Sequence, residues 1–241
     1  MDRQAEGRDG QTLGRTQEYL KQIVFGGTDG IVTTFAIVAG FAGAQAEGVA
    51  QIGGLAVLVF GLANLFADAV SMGLGEFLSL RAQHDLYRSR HAASLRAMVQ
   101  NPDGQTTVIT EILRARGLSQ SEAETTATIL SRHPGAMSEL ILNYKMGLRD
   151  PEVESPILNG LFTFSAFVTF GVVPLVPYLL ADATAQTTRW SVAATLVALV
   201  LLGLLRWSAT GERLLRTLGE TVLVGTVCAL VAFVVGALVG G

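Results

Sequence analysis

The chain is short of charge. Of its 241 residues only 15% are Asp, Glu, Lys or Arg, while 50% are hydrophobic, and mean hydropathy is +0.45. A soluble globular domain carries roughly 25% charged residues, so this composition excludes one and points to an integral membrane protein. Lysine is nearly missing: Lys21 and Lys145 stand alone among many arginines. With the abundant alanine and glycine, that usage is the mark of a GC-rich bacterial genome. The single cysteine, Cys228, excludes an intrachain disulfide and sits in an apolar run as a small core residue. Histidine is scarce too. His84 and His91 are seven apart and can share a helix face, but no third ligand has metal-site spacing, so they read as a solvated face. His133 precedes Pro134 and reads as a helix boundary. The polar N-terminus lacks the apolar core and cleavage site of a secretory signal, and is expected to stay in the cytoplasm. The net charge of -3 says little, because charge is distributed by region, and no nucleic-acid partner is expected.

What the chain has is long apolar runs. A membrane span needs about 20 mostly apolar residues, and five stretches qualify, near 22–45, 50–78, 157–181, 188–208 and 218–240. The expected fold is therefore an all-α membrane protein of five transmembrane helices, with a small helical cytoplasmic insert between the second and third. The expected divisions are a tail (1–21), helices one and two (22–80), the insert (81–155) and helices three to five (156–241). In span three Pro174 and Pro177 predict a kink or an end. Spans four and five have almost no internal polarity and read as scaffold. The glycines of spans one and two (Gly26, Gly27, Gly30, Gly40, Gly53, Gly54, Gly61, Gly73, Gly75) predict close helix packing.

The insert has its own signals. Residues 80 to 100 continue span two as a polar helix until Asn101–Gly104 supplies turn chemistry. A second helix over about 105–116 places Val108, Ile109, Ile112 and Leu113 on one face, and Gly117 stops it. Ser119 and Glu122 form a capping box for a third, to about residue 132. Pro134 opens a fourth, which Gly147 ends. The apolar surface is small for a free-standing core, so packing against the membrane helices or a second copy is expected.

Basic residues sort by loop. Sixteen of the seventeen lie in the N-terminal tail, the insert or the connection after span four; only Arg189 lies in an opposite connection. The positive-inside rule then puts the N-terminus and insert in the cytoplasm and the C-terminus on the other side.

Against this background the first two spans carry polarity where it is expensive. Asp29 lies inside the run Gly26–Gly40; Asn64, Asp68, Met72 and Glu76 follow one another at four-residue steps. Four residues advance about 400° around a helix, so each step drifts by roughly 40° and climbs about 6 Å. The four make a slowly turning stripe about 18 Å long, more than half of a hydrocarbon core some 30 Å thick. Asp29 and Thr33 share a face on span one. Ionisable groups within a membrane face an interior pathway and mark function. Carboxylates suit hard and borderline dications, and a thioether favours softer transition metals, so Asp29, Asn64, Asp68, Met72 and Glu76 are the candidate metal path. A buried empty site favours the protonated acid and a dication displaces that proton, which makes the proton the natural counter-ion. Taken singly, each has a plainer reading: Glu76 solvated at a span end, Met72 as core filler, Asp68 tied to a neighbouring helix. An intramembrane aspartyl protease is disfavoured because neither Thr28–Gly30 nor Ala67–Ala69 supplies a GxGD run.

The runs TDGIVTTFAIVAGFAGA, ADAVSMGLGEFLSLRAQHDLY and GVVPLVPYLL resemble those of the vacuolar iron transporter family, and the order of features matches over nearly the whole chain. The resemblance implies a homodimer with its pathway between subunits. It implies movement of ferrous iron or manganese out of the cytosol against protons, with Asp29 and Met72 on the path. A further family carboxylate falls at Asn64 here. The insert departs further. Its first helix has no glutamate, and of the family's metal-binding positions it keeps Glu111 and Glu139, the latter with Met137 and Met146 in a shifted register. Glu111 and Glu139 are expected to bind metal weakly or not at all. The expected function is proton-coupled export of a divalent metal, with no enzymatic activity and no cofactor. The alternative is a scaffold or regulator that keeps the fold without transport. A bacterial plasma membrane is the expected location.

Overall fold

The computed structural model of the chain describes residues 3–46, 54–150 and 155–240, with side chains of the first helix from residue 19 to 44. The expected connection at 44–49 lies mostly outside these residues, as do Gly53 and the middle of the expected linker at 149–156. The described residues contain helices and turns and no strand. The helices are α1 (Arg3–Ala46), α2 (Gly54–Gln100), α3 (Pro102–Ala115), α4 (Gln120–Leu130), α5 (Pro134–Met146), α6 (Pro156–Gly171), α7 (Val176–Leu180), α8 (Ala185–Thr210) and α9 (Leu214–Gly240). Five segments are long and apolar enough to cross a membrane: Tyr19–Ala44, Gly54–Gln100, Pro156–Leu180, Ala185–Thr210 and Leu214–Gly240. They agree with the five runs read from hydropathy. The first helix reaches further than its apolar run, because the polar N-terminal residues are helical as well.

The chain divides into two compact units, Met1–Phe77 with Ile157–Gly241, and Leu78–Pro156. In the first, α1 packs on α6, α8 and α9 through its glycines. A Cβ on Gly26 would sit 2.7 Å from the Thr163 carbonyl oxygen, and one on Gly30 would run into the Phe167 carbonyl. Gly73 of α2 and Gly160 of α6 meet backbone to backbone, with a Cβ on either falling 2.9 or 2.6 Å from the other's carbonyl oxygen. These crossings let the backbones approach where no hydrophobic effect drives helices together. The packed interior comprises Ile31 with Ala198, Leu199 and Leu202; Val38 with Val57, Leu175 and Tyr178; and Leu65 with Ala69 and Phe167. The prolines of span three act as expected: α6 stops at Gly171, a 3₁₀ turn covers Val173–Leu175, and α7 resumes the path. Buried Ser191 of α8 donates to the Pro174 carbonyl at 2.6 Å. The outward faces are largely apolar; Leu223, Val227, Leu230, Val234 and Leu238 of α9 are all exposed. Such a continuous patch is untenable in water and costs nothing against lipid.

The second unit holds the C-terminal part of α2 with α3, α4 and α5. Its small core is Met98, Ile109, Ala127, Met137 and Ile141, flanked by Leu95, Val108, Ile112, Leu113, Leu130 and Leu140. The predicted helix signals are all present. Asn101 caps α3, Ser119 and Glu122 form a reciprocal capping box on α4, and Gly147 ends α5 at φ 68°, in the left-handed region. Hydrogen bonds from the Ser119 hydroxyl and backbone hold the Glu122 carboxyl below the usual glutamate range. A depressed carboxyl contributes stability that is complete above the ordinary glutamate pKa and is lost as pH falls through the lowered one. Ser119→Ala is expected to speed amide hydrogen exchange in the first turn of α4 at pH 7. Its effect should shrink on acidification, as the wild-type cap itself is lost.

Candidate functional site

The candidate residues sit on α1 and the membrane part of α2. Asp29 is half-buried, and the Thr33 hydroxyl folds back onto its carbonyl oxygen at 2.8 Å. The glycines around it are taken up by packing on α6, so their role beside Asp29 is close approach. On α2, Asn64 Nδ2 donates to Asp68 Oδ2 at 2.7 Å. Asn64 thus stands within one hydrogen bond of a carboxylate, as an acid at that position would. Asp68 bears electrostatically on Asp29 as a like charge across the two helices. Met72 is half-buried and packs on Leu65, Ala69 and Phe167, surroundings that are apolar. Glu76 is half-buried and accepts from Gln22 Nε2 of α1 at 3.2 Å.

Two cavities touch this set. One, of about 650 Å³, lies beside Asn64 and is walled by α1 and α9. The other, of about 250 Å³, is lined by Lys21, Gln22, Phe25, Glu76 and Thr163. The structure thus joins Asn64 to Asp68 and Glu76 to Gln22, and sets Asp68 against Asp29, while Met72 lies among apolar side chains. Gln22 was not legible as a site residue, because a glutamine at the edge of a polar tail looks like tail. The usable signal was its place seven residues before Asp29, two helical turns away on one face.

The remaining candidates are dispersed. Glu111 on α3 and Glu139 on α5 are exposed, and no group of three or more His, Cys, Asp or Glu able to hold a metal occurs among the described residues. His91 stacks on Tyr87 with ring centroids 5.9 Å apart, and His133 is the residue before α5, as its proline neighbour implied.

Five apolar helices, with Asp29, Asn64, Asp68 and Glu76 half-buried on the first two, define a polytopic membrane protein with a polar site in its bundle. The chain belongs to the VIT family, whose model matches residues 20–237. It is 29% identical over 216 residues to Vacuolar iron transporter 1 of Arabidopsis thaliana, covering 90% of this chain and 84% of that protein. It is 30% identical over 216 residues to Vacuolar iron transporter 1 of Oryza sativa subsp. japonica, covering 90% and 83%. It is 35% identical over 166 residues to the vacuolar iron transporter of Toxoplasma gondii, covering 68% and 53%. These relatives are plant and apicomplexan, and they lend no support to a bacterial plasma membrane.

Proposed function

We propose that this chain moves a divalent transition metal ion, ferrous iron or manganese, out of the cytosol in exchange for protons. The observation that carries the reading is the pairing of polar groups on α1 and α2 inside a lipid-facing bundle. Asp29 opposes Asp68, Asn64 braces Asp68, and Gln22 holds Glu76. Ionisable groups persist inside membranes where they line a path for ions or protons. Membership of a family whose relatives are named iron transporters supports a metal as the cargo.

In this reading the dication loses part of its water shell at the inner end, near Glu76, and passes to the carboxylates of Asp29 and Asp68. Two neighbouring acids that bind a dication as carboxylates release protons as they do so and take them up again when the metal leaves. That alternation links metal and proton movement. The positive-inside distribution supports a cytoplasmic N-terminus and a cytoplasmic insert over residues 81–155, with transmembrane divisions at 22–80 and 156–241. The exposed apolar face of α2, with Val59, Phe66, Val70 and Leu74, leaves room for a second copy, and we take the working form to be a homodimer.

A second reading is a non-transporting scaffold or regulator, and the dispersed Glu111 and Glu139 favour it. Purified protein in liposomes, offered ferrous iron and then manganese under imposed pH gradients, separates the two. The transport reading expects flux that rises with an opposing proton gradient. The scaffold reading expects none from well-folded protein. Met72→Leu is expected to leave transport of both metals within about two-fold, since the thioether packs among apolar neighbours. A loss of ferrous iron flux with manganese flux intact would instead make it a ligand.

A further inference from the structure

Where α1 and α9 finish and α8 begins, the three helices part around a groove. Its floor is the crossing of α8 and α9 at Leu199 and Gly225, where a Cβ on the glycine would run into the Leu199 side chain. From there toward the start of α8 the groove encloses about 480 Å³. Phe35 and Val38 of α1, Val192 and Leu196 of α8, and Ala229 and Phe233 of α9 form its walls. Val192, Leu196 and Phe233 are exposed, so the groove opens to the surroundings of the bundle. The three hydroxyls in its walls are already bonded within the protein. Thr195 donates to the Ser191 carbonyl at 2.8 Å, Thr226 to the Val222 carbonyl at 2.8 Å, and Thr188 shares a hydrogen bond with the Tyr178 hydroxyl at 2.9 Å. The walls therefore suit hydrocarbon.

Two observations name the occupant. The first is depth. On α8 the wall runs from Thr188 to Leu199, about 16 Å at 1.5 Å per residue, which is one leaflet of a hydrocarbon core about 30 Å thick. The second is charge. Arg189 follows Thr188 at the end of the groove, three residues before Val192 and seven before Leu196, on the same strip of α8. It is exposed, and no Asp or Glu among the described residues pairs with it. It is also the one basic residue that the sequence sets apart from the other sixteen. Beside it Trp190 is 61% exposed, as aromatic residues at headgroup level are. A guanidinium takes phosphate through paired, charge-assisted hydrogen bonds. We propose that the groove holds one acyl chain of an anionic phospholipid whose phosphate rests on Arg189. A free phosphate has no use for the apolar walls, and a bare hydrocarbon has none for the arginine. Bulk lipid tails are as apolar as the groove, so moving a chain into it adds little. Selection falls to the headgroup: phosphatidylglycerol offers Arg189 a net charge, whereas phosphatidylcholine carries its own cation.

The site stands apart from transport and is tested without it. Full-length protein is placed in nanodiscs of equal phosphatidylglycerol and phosphatidylcholine with identical chains, and the lipids it retains are identified by native mass spectrometry. The wild type is expected to retain one lipid per chain, with phosphatidylglycerol favoured about five-fold, the factor that a single basic side chain near a membrane surface contributes toward anionic lipid. Arg189→Gln should bring the two lipids close to parity while a lipid is still retained. Ala229→Phe, which fills the groove with a ring, should lose both lipids without lowering the thermal midpoint, because half-buried Ala229 faces the open groove. Arg213→Gln, at the opposite end of α9, should keep the wild-type preference. An unchanged preference in Arg189→Gln overturns the proposal, and so does Ala229→Phe protein that keeps its lipid. A wild type that emerges as a lipid-free dimer, and as a monomer once Ala229→Phe is introduced, gives the groove to a second copy and overturns it as well.

Discussion

Asp29→Ala is expected to reduce metal flux in proteoliposomes by at least about ten-fold, the lower end of what is lost when a metal site loses a ligand or its support. Asp29→Asn should be nearly as inactive, because exchange needs a carboxylate that can trade a proton for a dication, and an amide of the same shape has no such proton to release and no charge to offer the metal. Asp29→Glu should keep measurable flux. The control is Thr226→Val on α9, whose hydroxyl is spent on the Val222 carbonyl of its own helix at 2.8 Å; it should transport as the wild type does. Flux in Asp29→Asn equal to wild type would falsify the assignment of Asp29 to the path.

The second large effect is on the fold. At the α2–α6 crossing, Gly73 and Gly160 approach backbone to backbone, and a Cβ on Gly160 would lie 2.6 Å from the Gly73 carbonyl oxygen. Backbone cannot rotate aside as a side chain can, so the helices themselves must separate. Overpacking by a few methylenes costs about 1–3 kcal/mol where side chains can adjust, and Gly160→Leu should exceed that, leaving little monodisperse protein after solubilisation. Gly75, two residues beyond Gly73 on the same helix, faces open space: a methyl there would meet no atom within 4 Å. Gly75→Ala should therefore raise the thermal midpoint slightly, because alanine is favoured over glycine in a helix by about 1 kcal/mol. Equal tolerance of Gly160→Leu and Gly75→Ala would mean the crossing is not where the structure puts it.

The parts legible from sequence were those governed by local chemistry. Twenty apolar residues announce a span whatever surrounds them. Ser119 with Glu122, Pro134 and Gly147 act within a few residues of themselves, so α4 and α5 began and ended as expected. The prolines at 174 and 177 ended α6 for the same reason. The site was legible only in outline. Asp29 and Asp68 stood out because charge inside an apolar run needs a reason. Gln22 did not, because its partner Glu76 is 54 residues away and its own neighbours are polar. Met72 was legible as a member of the stripe from its four-residue spacing; its packing against Phe167 and the cluster around it was not, because α6 is distant in sequence. The glycines beside Asp29 could have offered carbonyls to an ion; the nearness of α6 assigns them to packing, which no single-helix pattern reveals.

The central claim is that metal and protons cross in opposite directions through one path. Proteoliposomes holding a pH-sensitive dye test it most directly, with Mn²⁺ added outside and no initial pH difference. Exchange predicts that Mn²⁺ accumulation is accompanied by a rise in internal pH, and that both signals vanish together in Asp29→Asn. Mn²⁺ accumulation at constant internal pH, with charge carried by some other ion, would contradict it.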